Sequence, residues 1–300
     1  MSSNNEITDG IAIVRARSLV RDCGITTVPV DIDLFLAAAK AEVHAREELP
    51  PATSGMTMPL GDRNVILINS GDSIERQRFT VLHEIAHIIL NLPSHHAHDL
   101  GGAGLFNYAR RPPEEIICDT FAAECLLPHE FLRQDMKDAL PGFDFVARIA
   151  ERYRASLACT ASRVAFNAPF ACAYVLSQER FVRFVACSQK LRDARFFISR
   201  GIQIPAASIT GQSLASGQST GSGVVAAHTW TNADRFSDVD LHEEARIAGT
   251  WNQALTLLWP EDGDMPDQRD LPRNSESEDE EPLLKELDGI LPWPGRRRRR

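Results

Sequence analysis

One stretch of the chain, RFTVLHEIAHIIL at residues 78–90, restricts the possible folds more than any other. It places two histidines and a glutamate inside a run of large apolar residues that begins near Ile74 and stops before Pro93. Because few positions in this run can face solvent, it predicts a core helix, with Asp72 and Glu75 as its capping pair. The fold must therefore bury this helix and still satisfy its polar side chains.

The two histidines, His83 and His87, are one helical turn apart and lie on nearly the same face, so both rings can reach one metal ion. Glu84 lies beside them, where its carboxylate can accept a proton from a water molecule at that metal. Each polar group left unsatisfied in apolar surroundings costs about 1 to 3 kcal/mol. The spacing therefore indicates a zinc hydrolase rather than two ordinary core histidines.

A catalytic zinc needs a third protein ligand if its fourth position is kept for water. The metzincin pattern requires a histidine where this chain has Pro93, so that pattern is excluded. A carboxylate on a second predicted helix, which begins near Glu114, is the preferred alternative. Glu115 is preferred to Glu114 because Asp119 lies one turn beyond it and can accept the free N–H of a ligand histidine.

A polar, glycine-rich loop at 94–113 separates the two predicted helices and supplies other candidates. Three histidines in it, His95, His96 and His98, are close enough in sequence to offer the third ligand instead. Any of them, or Tyr108, could also stabilise the oxyanion that develops during hydrolysis. The sequence does not choose among these oxyanion donors.

The six cysteines are dispersed and include no CxxC pair, which predicts reduced thiols in small core positions. Cys118, one turn beyond Glu115, could offer a thiolate to the metal, but a buried small residue is the preferred interpretation.

The net charge of −9 argues against a general nucleic-acid binder, and no direct nucleic-acid binding is expected. Residues 261–300 predict a disordered acidic tail that ends in five arginines, and the preferred interpretation gives this tail no partner. No apolar run reaches the length of a membrane span, and the first ten residues lack the features of a signal peptide. A cytoplasmic protein without a membrane partner is expected.

Apolar periodicity predicts an α+β protein with three parts: a zincin-like domain at 1–168, a β-rich domain of possible sensor function at 169–260, and the tail at 261–300. The first domain should contain helices, a small sheet and the HEIAH helix. GQSLASGQSTGSG in the second domain predicts a flexible loop. Five segments there are predicted strands: ACAYVLS, FVRFVAC, ARFFIS, VVAAHTW and ALTLLW.

Three matching segments give the first domain a resemblance to the ImmA/IrrE family of metallo-endopeptidases. They are RFTVLHEIAHIIL, the preceding strand NVILINS, and EEIICDTFAAECLLP at 114–128, with RYRASLACTASRVAFN fitting the helix that follows. The resemblance implies a gluzincin-like Zn²⁺ core with His83, His87 and Glu115 as ligands and Glu84 as the general base. It also implies a substrate, a helix-turn-helix repressor whose cleavage switches on stress, prophage or mobile-element genes.

The second half and the tail lie outside this resemblance, which leaves an alternative function. The chain could be a regulatory or toxin–antitoxin-type binding protein in which the zinc site is structural or becomes active only after a signal.

Overall fold

The computed structural model of the protein describes residues 8–47, 49, 53–93, 112–248, 253–261 and 263–266. All of these residues lie in a unit that ends at Pro266. Helices with a small sheet come first in the chain, and a larger sheet follows, so the predicted α+β class is confirmed. The predicted tail beyond residue 266 and the loop residues His95, His96, His98 and Tyr108 lie outside the described residues.

The first half contains seven helices and three strands among its described residues. In chain order they are α1 (Asp9–Asp22), α2 (Ile32–Ala38), β1 (Ala41–Arg46), β2 (Gly55–Leu60), β3 (Arg63–Asn69), α3 (Ile74–Leu90), α4 (Pro113–Leu126), α5 (His129–Asp135), α6 (Phe143–Tyr153) and α7 (Leu157–Asn167). The sheet order is β1-β3-β2, with β1 parallel and β2 antiparallel to β3. Strand β2 therefore lies at an edge of this sheet.

Polar residues cap both ends of helix α3. Its N-cap is Ser73, whose hydroxyl accepts a hydrogen bond from the backbone N–H of Arg76. The prediction of Asp72 as the cap was wrong by one residue, because its carboxylate instead forms an ion pair with Arg76 at 3.1 Å. The helix ends at Leu90, and its C-cap Asn91 has a left-handed conformation (φ 52°) that turns the chain away before Pro93.

Helix α4 is anchored to its neighbours by a buried carboxylate near its C-terminus. Glu124 is 0% exposed and lies 2.8 Å from Arg163 of α7 and 3.1 Å from Arg17 of α1. It also accepts a hydrogen bond from the backbone N–H of His129 at the start of α5. A buried charge is tolerated only when it is paired in this way, so Glu124 fixes α4 against three other helices.

The second half is built on a five-stranded antiparallel sheet with the order β5-β4-β8-β7-β6. Its elements are β4 (Ala173–Gln178), β5 (Phe181–Cys187), α8 (Gln189–Asp193), α9 (Ile209–Ser216), β6 (Thr220–Ala226), β7 (Asp240–Ala248) and β8 (Gln253–Pro260), with short 3₁₀ helices at Ala227–Thr229 and Asp234–Phe236.

Side chains alternate between the two faces of this sheet, and the faces join different apolar clusters. Tyr174 and Leu257 belong to the core that includes α3 and α4, whereas Val175 and Leu258 belong to a second core with Phe196 and Phe236. A hydrogen bond also links the sheet to the first half of the chain: Glu244 of β7 accepts it, at 2.7 Å, from the first backbone N–H of α6. The division of the chain at residue 168 stays a prediction.

The predicted strand ARFFIS was wrong, although its alternating pattern is real. Ala194, Phe196 and Ile198 are buried, and the residues between them are exposed. Residues 194–199 are nevertheless assigned to no strand, and Arg195 adopts a left-handed φ of 56°. Alternation reports which side chains are buried, and here an extended segment packs on the core without joining the sheet.

The predicted flexible loop GQSLASGQSTGSG was also wrong, because it contains most of α9 and the start of β6. Its glycines permit close packing. A Cβ at Gly221 would lie 2.2 Å from Ser213 Oγ, and one at Gly223 would lie 2.7 Å from Ile209 Cδ1. Strand β6 can approach α9 only because both positions lack a side chain.

Strand β7 was missed by the sequence analysis because its buried face includes a charge. Glu243 is 0% exposed, and its carboxylate accepts hydrogen bonds from the Thr210 backbone N–H, the Thr210 hydroxyl and the Trp230 indole N–H. A strand with an acid in its core-facing row shows no simple apolar alternation.

The cysteines and the described helices agree with two expectations from the sequence, reduced thiols and no membrane span. The six cysteines are free thiols, and three of them are buried: Cys118, Cys125 and Cys172. Among the described residues, no helix combines the length and the apolar character that crossing a membrane requires.

Candidate metal centre

Helix α3 holds His83 and His87 with their rings turned to one point. The two Nε2 atoms lie 3.2 Å apart, as expected for residues separated by one helical turn. Their neighbours Leu82 and Ile85 are fully buried, so the apolar face of α3 fixes the direction of the histidine face. The His87 side chain is 3% exposed and that of His83 is 12% exposed.

Helix α4 brings the carboxylate of Glu115 to the same point. Its Oε2 lies 3.1 Å from His83 Nε2, and its Oε1 lies 3.5 Å from His87 Nε2. Among the described residues, these three side chains are the group whose ligand atoms all lie within 4.8 Å of one another. The prolines at positions 112 and 113 start α4 just before Glu115, which places this residue in the first turn.

The outer nitrogens of both rings are held by acceptors. His83 Nδ1 lies 2.8 Å from Asp119 Oδ1, and His87 Nδ1 lies 3.4 Å from the backbone oxygen of Leu92. A carboxylate and a carbonyl can only accept, so each Nδ1 carries the proton that it donates. When both rings are neutral, each Nε2 can present a lone pair to the centre, as metal-ligating histidines do.

The triangle formed by the two Nε2 atoms and Glu115 fits a divalent metal ion. When both rings are neutral, three acceptors face one another here, and they repel unless a cation lies between them, either a metal ion or the proton that His83 Nε2 shares with Glu115. Zinc bonds to nitrogen and oxygen are about 2.0–2.2 Å long, so two ligands of a tetrahedral site lie about 3.3 Å apart. The observed separations of 3.1 to 3.5 Å match that spacing.

The charges around the rings favour one bound cation. Burial acts to lower the pKa of His83, but its hydrogen bonds to Asp119 and Glu115 outweigh this and raise the pKa to about 10. The pKa of His87 is lowered, first by burial and then by the charge on His83. A proton on His83 and a metal ion at the centre therefore compete, and metal binding should release a proton.

Glu84 adjoins this centre on the side of the small sheet. The residue is 4% exposed, and its Oε2 accepts a 2.7 Å hydrogen bond from the Thr57 hydroxyl on β2. Thr57 was not predicted as a site residue, because a contact between a strand and a helix 27 residues later leaves no mark in local periodicity.

Some of the predicted site residues lie together in the structure, and others do not. His83, His87, Glu115 and Asp119 lie together, and Glu84 is next to them. Two alternatives on α4, Glu114 and Cys118, are not in the group of converging ligand atoms. The predicted roles of the loop histidines and Tyr108 concern residues outside the described part of the chain.

Strand β2 carries Thr57, whose hydroxyl contacts Glu84 beside this centre. Strand β2 pairs with β3 on one side, and on its other side it has no strand partner among the described residues. An unpaired edge offers backbone N–H and C=O groups to an extended peptide.

The first half of the chain matches a known family. Residues 34–165 match the family model described as the IrrE N-terminal-like domain. Radiation response metalloprotease IrrE of Deinococcus radiodurans is 29% identical over 161 residues, which cover 50% of this chain and 46% of that protein. The chain therefore spans about half the length of this relative.

A solved structure extends the likeness of the fold into the second half. A Mycobacterium tuberculosis transcriptional regulator superposes with a TM-score of 0.56 over 86% of this chain and 77% of that chain. The sequences are 13% identical, so this likeness concerns the fold alone. The family match, in contrast, spans α3, α4 and the whole candidate metal centre, and it confirms the predicted resemblance of residues 34–165 to the ImmA/IrrE family, through its IrrE N-terminal-like domain.

Proposed function

We propose that this protein is a zinc-dependent endopeptidase in which His83, His87 and Glu115 hold the metal. The observation that supports this most directly is the convergence of their ligand atoms within 4.8 Å, with Glu84 adjacent. Two imidazoles and one carboxylate are the protein ligands of a known class of catalytic zinc sites. Metals other than zinc can bind the same atoms, so zinc is part of the proposal.

A bound zinc ion would act as a Lewis acid that polarises the scissile carbonyl and lowers the pKa of water towards about 7. The protein supplies the proton transfer. Glu84 accepts a proton from the attacking water and delivers it to the amine that leaves. Asp119 keeps the proton of His83 on Nδ1, away from the centre, and so preserves the lone pair that faces the metal.

Strand β2 would align the substrate. An extended segment that pairs with its outer edge would run past Glu84 and the metal ligands, held by main-chain hydrogen bonds. Such pairing requires that the substrate segment be extended or unfolded locally, but it does not require a particular sequence.

The proposed substrate is a helix-turn-helix repressor, whose cleavage would relieve repression of stress, prophage or mobile-element genes. This part rests on the family resemblance, and the relative from Deinococcus radiodurans is named a radiation response metalloprotease. The β-rich half would then adjust the activity, as the proposed sensor domain.

The test is co-expression of the full chain with the helix-turn-helix protein encoded nearest to it. Glu84→Gln keeps the shape of the side chain but cannot accept the proton, so the cleavage rate should fall at least a hundredfold while zinc content is unchanged. Glu114→Gln is the matched control. Because Glu114 is outside the group of ligand atoms, this variant should cleave the repressor at the wild-type rate.

The outcomes separate the hypotheses. Cleavage by Glu84→Gln at the wild-type rate would refute the assignment of the base. A wild-type protein that binds zinc but cleaves no candidate repressor would favour the alternative of a regulatory or toxin–antitoxin-type binding protein.

A further inference from the structure

The base proposed above is held by a residue of the substrate-binding strand. Glu84 is 4% exposed, and the hydroxyl of Thr57 donates a hydrogen bond of 2.7 Å to its Oε2. We infer that Thr57 is a positioning residue, which fixes the orientation of the Glu84 carboxylate. This inference rests on the proposed function and deepens it.

The hydrogen bond restricts the carboxylate in a specific way. A glutamate side chain has three rotatable bonds, and its last torsion is broad, so packing alone leaves the two oxygens free to exchange places. A hydroxyl that holds Oε2 leaves Oε1 as the oxygen available to accept a proton. Hydrogen bonds to a charged group are short and strong, so this one can select a single orientation.

Local packing places Thr57 where it can reach Glu84. At Gly55, two residues earlier on the same face of β2, a Cβ would lie 2.4 Å from Thr80 Cγ2 and 3.4 Å from Glu84 Cγ. The backbone of β2 therefore lies directly against α3, one turn before the base. Thr57 then pairs with Ile66 of β3, which fixes its register along the edge.

This arrangement joins two tasks in one strand. The edge that would pair with the substrate also carries the hydroxyl that orients the base. A small displacement of β2 would therefore misalign the peptide bond and the proton acceptor together. The proposed metal ligands are on α3 and α4, and Thr57 is not among them, so metal affinity should not depend on Thr57.

The experiment compares Thr57→Val, Thr57→Ser and Thr53→Val in the full chain, with the purified neighbouring repressor as the probe. Valine keeps the shape of threonine without the hydroxyl, and serine keeps the hydroxyl. Thr53 is the matched control, because its buried hydroxyl has no hydrogen-bond partner among the described residues.

We expect Thr57→Val to lower kcat about ten- to a hundredfold, with KM within about twofold and zinc content unchanged. Thr57→Ser should recover most of the loss, and Thr53→Val should retain the wild-type kcat. Wild-type kcat in Thr57→Val would overturn the inference. Equal losses in the valine and serine variants would overturn it too, because packing rather than the hydroxyl would then be responsible.

Crystal structures of the wild type and the two Thr57 variants give a readout that does not need activity. The Glu84 carboxylate should rotate in Thr57→Val and return in Thr57→Ser, and an unmoved carboxylate would contradict the inference. If the wild-type protein cleaves nothing, the proposed function fails, and these structures alone decide the role of Thr57.

Discussion

The close approach of β2 to α3 makes Gly55→Ala the most revealing substitution in the small sheet. The new methyl group would lie 2.4 Å from Thr80 Cγ2, 3.3 Å from the backbone oxygen of Leu67 and 3.4 Å from Glu84 Cγ. Carbon atoms in contact are normally about 3.5–4.0 Å apart, so strand and helix must separate by about 1 Å at this point. Such overpacking costs about 1 to 3 kcal/mol of the free energy of unfolding.

The same separation should reduce activity. Thr57 and Glu84 are joined by a hydrogen bond of 2.7 Å, and an extra ångström between their elements would exceed hydrogen-bonding range. Gly55→Ala should therefore lose cleavage activity at a temperature where it is still folded. A stability defect alone would not produce this result.

The assay is urea unfolding of four proteins: wild type, Gly55→Ala, Thr80→Ser and the double variant. Serine lacks Cγ2, the atom closest to the new methyl group, so it should relieve the clash. Thr80→Ser alone removes one buried methyl group and should cost about 1 kcal/mol. The double variant should therefore lose less free energy of unfolding than the two single variants lose together, by at least about 1 kcal/mol.

Gly10→Ala is the control for a general effect of alanine at glycine positions. Gly10 lies in the first turn of α1, and the nearest atom to its added Cβ is Thr8 Oγ1 at 3.8 Å, an ordinary contact. Alanine there should be neutral or stabilise by up to about 1 kcal/mol. If Gly55→Ala is as stable as the wild type, or if its loss of stability simply adds to that of Thr80→Ser, β2 and α3 are not tightly packed at Gly55.

Two further predictions concern the metal and the thiols. Asp119→Asn weakens the hydrogen bond to Nδ1 of His83, so zinc affinity measured by chelator competition should fall about 10- to 100-fold while the helix content is unchanged. Unaltered affinity would contradict the role given to Asp119. Burial raises the pKa of Cys187 from about 9 to about 11, against the opposing charge of Arg192, so its thiolate fraction at pH 8 should be about a hundredfold lower in the folded protein than in urea. Stability should correspondingly decrease as the pH rises from about 9 towards 11, and mass-spectrometric labelling that modifies Cys187 equally fast in folded and unfolded protein would refute the shift.

Local patterns were sufficient to predict the helices that carry the candidate metal ligands. The apolar spacing of α3, the polar residues at its start and the proline beyond its end all act within a few residues. The same holds for α4, which begins at Pro113 and ends just before Pro128. In these two helices only the N-cap of α3 was predicted wrongly. Asp72 and Ser73 are both good N-cap residues, and residue preference alone does not distinguish them.

Contacts between distant segments explain what the sequence analysis missed. Thr57 is an unremarkable strand residue until β2 is placed on α3, and that placement depends on Gly55 having no side chain. In the same way, glycines that suggested flexibility at 211–223 instead allow β6 to pack against α9. Glycine has both uses, and only the packing partner distinguishes them.

The buried acids show most clearly why the second half was harder to predict than the first. In α3 and α4, the buried polar residues recur at helical spacing and converge on one another, so their pattern indicates a shared ligand. Glu243 on β7 is equally buried, but its donors come from α9 and from the segment that contains Trp230. Nothing near it in the sequence indicates that its charge is satisfied. A carboxylate satisfied by distant donors resembles a surface residue, and a strand that contains one is hidden until the tertiary structure is known.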